Sequence, residues 1–481
     1  MKKIILFIFC LSLLIGRATF SDTWYVDNSV GSSGNGQSWG TAWKNLSDIS
    51  WGSISGSDTI EVSGGASSQT YNEQLSPGAS GSIGNYITIK TSDEPGYDGT
   101  VNIRQTTQEA VYVDNIDYVI IDGFDISTTG VGNHGVFVRG GSTYITLKYL
   151  TIHDYCGLGI AGYIASYVTV QYCEIYDPDL VNGNDPMQIG PTDHWTIEHN
   201  TIRARFPTNG QHFDCIQLSE PCTDLVIRYN IFGNANTASV YLETLSGWNH
   251  TVWIYGNIFN VFSDPNMSDS DSFWGIFGDG SPGTIEAYIY NNTFINLCNN
   301  VATSGRGIRL DNSSSGQKVV IKNNIFYNSR MEITENWGGS DANTQSDYNC
   351  FWMPSGFVLQ WDGTEYSGVP YTPFGWSEKD TNSIVDNPDL LSVSTTNSDS
   401  HDMHLTAASP VIGQGVNVGI STDYDGEDYD SPPSMGAYEY QAGDINFSIG
   451  TTLRFNAIWQ AWLISGLILS IWFISKLINK I

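Results

Sequence analysis

Two short segments of this chain carry the same polar pair at the same offset, Asp185 with Gln188 and Asp214 with Gln217. On neighbouring parallel strands the two carboxylates would stand roughly 5 Å apart. That separation lets them share a proton, hold a cation, or act as the acid and nucleophile of glycoside cleavage. His212, Arg203 and Arg205 lie on the same stretch, and clustered titratable groups mark functional sites. Elimination from a uronate needs a base to take the proton beside the carboxyl and a cation to stabilise the enolate. Asp185, Asp214, His212, Lys148, Arg203, Arg205 and Arg228 are therefore the candidate catalytic groups. The competing reading is structural. Aspartates accept backbone hydrogen bonds at turns, and Lys148, Glu198 and Arg228 could form an ordinary exposed charge ladder.

Other residues suit binding. Gln188, Gln217 and Tyr241 share one column when the short second strands are aligned, a column that also takes in Phe137, Gly159, Phe277 and Arg309. Trp253 and Tyr255 alternate outward from one segment and Tyr288 and Tyr290 from the next, which predicts a two-by-two aromatic platform for sugar rings. Asp423, Asp425 and Asp428 cluster around Gly426. Their spacing misses the full EF-hand loop but could hold calcium.

The elements that must position these groups form a repeat. Eight-residue windows recur from Val119, Ile145, Val168, Trp195, Leu225, Val252, Ala287 and Val319, with a weaker ninth copy ending at Phe351. The first, third and eighth positions are mostly apolar, the alternation of strands with one buried face. A period of about 23 to 35 residues with several short strands and no helical spacing indicates a β-solenoid. The sixth position is Asn200, Asn230, Asn257, Asn292 and Asn324, continued by Asn349. Stacked coils would place these amides in a hydrogen-bonded ladder at a turn, a structural role.

With those motifs the chain resembles the bacterial secreted right-handed β-helix proteins of the pectate-lyase-like superfamily. The N-terminal segment carries part of the likeness, from Trp24 to Asp27, Gly40 to Trp43, Asp58 to Ile60 and Gly84 to Ile87. So do His404 and Leu405, Ser409 to Val411, Asp423 to Gly426 and Gly436 to Tyr440. The resemblance implies an all-β, single-stranded right-handed parallel β-helix (solenoid) with an N-terminal cap and a C-terminal capping region. It implies little about activity, because the superfamily holds lyases, hydrolases, epimerases and proteins without known catalysis. Asp214, Cys215 and Ile216 are similar to the end of the double-aspartate motif of polygalacturonases, but Phe213 stands where the first aspartate belongs, which argues against their mechanism. Trp195 and Ile197 to Asn200 are similar to the calcium-binding strand of pectate lyases, with Glu198 in place of the ligating aspartate.

Composition and the two ends bound the setting. Lys+Arg number 20 against 50 Asp+Glu, a net charge of -30, which excludes nucleic acid as a partner. It also makes an acidic polysaccharide dependent on bound cations or a local basic patch. Residues 1–20 read as a signal peptide, with Lys2 and Lys3 before an apolar core from Ile4 to Ile15. Asn456 to Ser475 carries no charge and is long enough to cross a bilayer. The expected organisation is a leader at 1–20, cap and first coils at 21–118, repeats at 119–352 and closing coils at 353–441. A linker and hydrophobic membrane-anchoring helix follow at 442–481. Six of the seven cysteines follow the leader and are either disulfides, with Cys215 and Cys222 nearest, or buried thiols. The expectation is an exported, extracytoplasmic, membrane-anchored monomer acting on an extracellular acidic polysaccharide. It is foremost a calcium-assisted polysaccharide lyase without organic cofactor, and otherwise a non-catalytic glycan-binding or surface-structural β-helix.

Overall fold

The computed structural model describes residues 21–441 apart from 180–183, 206–212, 236, 246, 262–273, 280–282, 298–304, 313–316, 336–343, 355, 374–377 and 394–400. The expected leader, the expected membrane helix and His212 lie outside the described residues. Among the described residues no helix is long and apolar enough to cross a membrane.

Three parallel sheets wrap one core. Sheet A has 13 strands, from Thr23–Val26 to Thr344–Asp347; sheet B has 12, from Ser68–Tyr71 to Ile384–Val385; sheet C has 11, from Val111–Asp114 to Leu359–Trp361 and its hairpin partner Thr364–Tyr366. From Val111 onward a coil contributes to all three sheets, and neighbouring coils pair in parallel. In sheet A, Val119, Ile145 and Val168 are register partners, and the series continues through Leu225, Val252, Ala287, Val319 and Thr344. The period of two sets what is buried. Ile145 and Leu147 are wholly inside, whereas Thr146 and Lys148 face out. The last window position fills the middle of the solenoid, where Phe232, Phe259, Phe294, Phe326 and Phe351 stack at 4.6 to 5.1 Å between ring centroids.

The turn from sheet A to sheet B is two residues long in coil after coil, as in Tyr149 and Leu150 between Thr143–Lys148 and Thr151–Ile152. Its first residue takes the left-handed conformation: Tyr149, Tyr172, His199, Tyr229, Asn291, Asn323 and Tyr348 have φ between 50° and 59°. Gly256 occupies the same place at φ 63°, and a Cβ there would come within 2.5 Å of the Tyr229 ring. The second turn residue is the asparagine of the ladder. Each Oδ1 accepts the backbone N–H and the side-chain amide of the preceding rung, at 2.9 and 3.0 Å for Asn230 on Asn257 and 3.0 Å for both from Asn257 on Asn292. Asn257 Nδ2 also reaches the Ile227 carbonyl at 2.8 Å. Every rung from Asn200 to Asn349 is buried to 1% exposure or less.

The C-terminal stretch closes one side of the solenoid. Met403, Leu405, Val411, Met435, Ala437 and Tyr438 cover the apolar outer residues Ile258, Ile295, Ile325 and Cys350 of sheet B. The stretch is tied to the A–B turn where the Tyr229 hydroxyl donates to the Thr422 carbonyl at 2.8 Å and Asn323 Nδ2 to that of Val416 at 2.8 Å. Among the described residues the disulfide alternative is corrected, Cys298 lying outside them. Cys156, Cys173, Cys215, Cys222 and Cys350 are buried free thiols; Cys215 and Cys222 each face backbone carbonyls, such as Gly233 and Ile189 at 3.4 Å.

Two outcomes follow for stability. Replacing Asn257 with Leu strands the Asn230 N–H and the Ile227 carbonyl, and should cost about 1–3 kcal/mol for each group left unsatisfied, read as a lower denaturant midpoint. His404 is held between Asp402 and, at 2.8 Å, Asp425. Burial opposes its charge, but the two carboxylates prevail and raise its pKa to about 9 from 6.5. The imidazolium therefore stabilises the fold fully below about pH 6.5 and loses that contribution as pH climbs through about 9. The melting-temperature advantage of the natural chain over His404→Gln should be present near pH 6 and gone by about pH 10.

Candidate functional site

The uniform A–B turn contrasts with the other two corners. Three residues link Ile325–Tyr327 of sheet B to Met331–Glu335 of sheet C, but thirteen link Ile258–Asn260 to Trp274–Asp279. Variation in connection length collects at the borders of sheet C, and binding groups concentrate where loops on a rigid scaffold vary. Sheet B is covered between Ile258 and Cys350. The outer face of sheet C is therefore where site residues are to be sought.

A register-aligned row crosses that face: Gln188, Gln217, Tyr241, Phe277, Arg309 and Glu332. The expected column is right from Gln188 onward. Upstream, Phe137 also keeps its place, and only Gly159 is corrected, because Ala161 stands between Phe137 and Gln188. Gln188 Nε2 donates to Gln217 Oε1 at 3.0 Å, and Gln217 Nε2 to Glu243 Oε2 at 2.9 Å. Tyr241 stacks on Phe277 at 5.1 Å and its hydroxyl donates to Asp279 Oδ2 at 2.9 Å. Asp279 Oδ1 accepts the Thr244 N–H at 2.8 Å. Burial raises the Asp279 pKa, against the pull of these donors, and burial together with Asp279 keeps Tyr241 protonated by raising its own.

Arg309 is the cation of this row. Its guanidinium lies 4.7 Å from the Trp274 ring and 5.6 Å from the Phe277 ring. Asp311 and Glu332 stand at 3.6 and 3.9 Å, beyond good hydrogen-bond length. Its buried Nε has no hydrogen-bond partner among the described residues. Glu332 is instead bound closely by Arg306, at 2.6 Å.

The other candidates are dispersed. Asp185 and Asp214 are 1% and 0% exposed, and each accepts a backbone N–H from the next coil: Asp214 N on Asp185 at 2.8 Å, Ala238 N on Asp214 at 2.7 Å. They are a turn ladder beneath the surface, so their expected place in an open groove is corrected. Lys148 and Arg228 stand on sheet A, in a column running Glu61, Lys90, Asp122, Lys148, Gln171, Glu198, Arg228, Tyr255. Lys148 meets Asp122 at 3.0 Å and Arg228 meets Glu198 at 2.6 Å. A carboxylate neutralised by Arg228 is a poor calcium ligand, which corrects the expected metal role of Glu198. Arg203 and Arg205 lie at the end of the sheet B strand Thr201–Arg203, and Arg205 is 3.6 Å from Asp177.

The aromatic quartet is in register on sheet A, but it is not a flat platform. Trp253 and Tyr288 stack on each other at 5.3 Å and 12°, and Lys318 caps Tyr288 at 4.8 Å. One face of Trp253 and the Tyr288 ring are thus engaged within the protein, while Tyr255 takes a hydrogen bond from Arg228 at 3.0 Å and burial pushes the Tyr290 pKa up to about 12. In the acidic C-terminal turn, Asp423 Oδ1 accepts the N–H groups of Asp425 and Glu427 and Oδ2 that of Glu439, each at 2.9 Å. Asp425 serves His404, and Asp428 bridges to Thr422. The expected convergence of Asp423, Asp425 and Asp428 on calcium is corrected, since backbone donors occupy Asp423, His404 takes Asp425, and the three carboxylates are not gathered as a metal site. Among the described residues no group of three or more His, Cys, Asp or Glu is gathered as for a metal ion.

Sequence reasoning missed Asp279, Asp311 and Glu332. One signal was available: Phe277 and Asp279 repeat the offset of Arg309 and Asp311 in the next coil.

Residues 99–272 match the family model described as a right handed beta helix region. No curated protein sequence matches the chain. Among solved structures, pectate lyase Pel9A superposes with a TM-score of 0.53 at 16% identity, over 88% of this chain and 98% of that one. XylC in complex with xylose gives 0.50 at 10%, over 87% and 98%. An alginate lyase from Paenibacillus sp. str. FPU-7 gives 0.44 at 13%, over 66% and 96%. With residues 99–272 matching that region and the architecture of Pel9A reproduced along nearly its whole length, the chain is a right-handed parallel β-helix protein.

Proposed function

We propose that this is an exported, membrane-anchored, carbohydrate-active protein that binds and cleaves an acidic polysaccharide on the outer face of sheet C. One observation carries the reading: the Arg309 guanidinium lies over the Trp274 and Phe277 rings, with donors that its carboxylate neighbours do not engage at hydrogen-bond length. A planar guanidinium so placed suits a uronate carboxylate, which it can grip through two parallel hydrogen bonds. It supplies the local positive charge that a chain of net charge -30 needs before it accepts a polyanion. Of the cations first expected for this task, Lys148 and Arg228 are paired at closer range with Asp122 and Glu198 on sheet A, at 3.0 and 2.6 Å. Tyr241 and Gln217 extend the row along which neighbouring sugars would lie. The fold is that of a pectate lyase among others, which makes polyuronates the first substrates to screen.

Arg309→Ala should lower kcat/KM on a responsive polyuronate by about 10- to 100-fold, the worth of one charge-assisted hydrogen bond, with little change in melting temperature. Unchanged activity and retention would reject sheet C as the site. If glycan is retained without cleavage, and retention vanishes on replacing Trp253 and Tyr288 rather than Arg309, the protein is a binding module acting through sheet A. Export and anchoring are tested by fractionation: the full chain should stay with membranes, and a chain ending at Ala442 should be released. Equal release of both would remove the anchor.

A further inference from the structure

The reading that a polysaccharide lies on sheet C leaves its chemistry open, and the further inference rests on that reading and on two carboxylates, Asp311 beside Arg309 and its register partner Asp279. Asp279 and Asp311 are register partners on adjacent parallel strands, Trp274–Asp279 and Arg306–Asn312. Both are partly exposed at the outer face. Parallel strands lie roughly 4.8 Å apart, so side chains leaving the same face from paired positions stand at about the spacing of the two carboxyl groups in a retaining glycosidase, 5–5.5 Å. Their surroundings differ. Asp279 receives the Tyr241 hydroxyl at 2.9 Å and the Thr244 N–H at 2.8 Å in a half-buried setting, and burial raises its pKa. Asp311 faces the Arg309 guanidinium at 3.6 Å. Two carboxyls with one kept toward its neutral form and the other beside a fixed cation are the division of labour that acid and nucleophile require.

We infer that Asp279 and Asp311 are the proton donor and the nucleophile of a glycoside hydrolysis that retains anomeric configuration, with a uronate held at Arg309. In the first step the Asp311 carboxylate attacks the anomeric carbon and forms a glycosyl ester. The bond from that carbon to the leaving oxygen breaks, its electron pair stays with the oxygen, and the Asp279 carboxyl delivers the proton. In the second step the Asp279 carboxylate takes a proton from water, the water oxygen bonds to the anomeric carbon, and the ester bond breaks to restore the Asp311 carboxylate. Water is the only co-reactant. Tyr241 is a positioning residue, fixing the Asp279 carboxyl by its hydrogen bond.

The test uses the full chain, its Asp279→Asn and Asp311→Asn forms, which keep side-chain shape, and Asp311→Ala, with melting curves to establish folding. On a polyuronate, and on oligosaccharides cut from it, the natural protein should release reducing ends without ultraviolet-absorbing unsaturated ends, and NMR should show the product anomer first formed to match the substrate. Both Asn forms should lose about 100-fold or more in kcat. Azide should restore turnover to Asp311→Ala by trapping the sugar as a glycosyl azide. Unsaturated ends, inverted product, or folded Asn forms with full turnover overturn the inference while leaving the sheet C reading intact. Retention that depends on Arg309 without any cleavage overturns it too, and keeps only the binding part of that reading. Activity or retention indifferent to Arg309→Ala overturns the reading itself.

Discussion

The asparagine ladder at the A–B turn is the constraint on which the rest of the structure depends. A right-angled bend in two residues forces one of them into the left-handed region and leaves backbone groups pointing along the solenoid axis. A side-chain amide has both a donor and an acceptor, so one residue type can satisfy the rung above and the rung below. Asn200 to Asn349 do this without interruption, entirely out of contact with water. Any shift of register would break several buried hydrogen bonds at once, which is why neighbouring coils keep their alignment although the repeats differ in length.

That fixed corner releases the other two. Because strand register is held at the A–B turn, insertions between sheets B and C or between C and A do not propagate into the stack. Sheet C is therefore an ordered floor with variable borders, where Gln217, Tyr241, Phe277 and Arg309 keep one row. The C-terminal stretch complements this arrangement by covering sheet B, whose outer residues Ile258 and Ile325 are apolar because they are buried a second time.

The same registration explains how a chain so acidic handles its charges. Along sheet A, Lys90 meets Glu61, Lys148 meets Asp122 and Arg228 meets Glu198, each between neighbouring coils. Stacking like positions at strand spacing makes opposite charges the favourable choice and spends most outward cations on structural pairing. Arg309 differs from Lys148 and Arg228 in lying on sheet C, over Trp274 and Phe277, with its carboxylate neighbours at 3.6 and 3.9 Å.

The sequence by itself determined the solenoid: the windows from Val119 to Val319, their inward and outward faces, and the ladder, because period and phase are local properties that stacking can only reinforce. It also placed Gln188, Gln217 and Tyr241 in one row, since they share an offset within the repeat. It did not determine depth. Asp185 and Asp214 repeat as regularly as any site pair, yet the backbone turns them inward to serve the next coil's N–H groups, and no periodicity distinguishes that from an open groove. Ring orientation was equally hidden, as Trp253 and Tyr288 face each other rather than solvent. Nor could spacing alone show that burial beside Tyr241 and Thr244 raises Asp279 while Arg309 faces Asp311. Those properties arise from neighbours about thirty residues apart in the chain and one strand apart in space, and only the tertiary structure decides them.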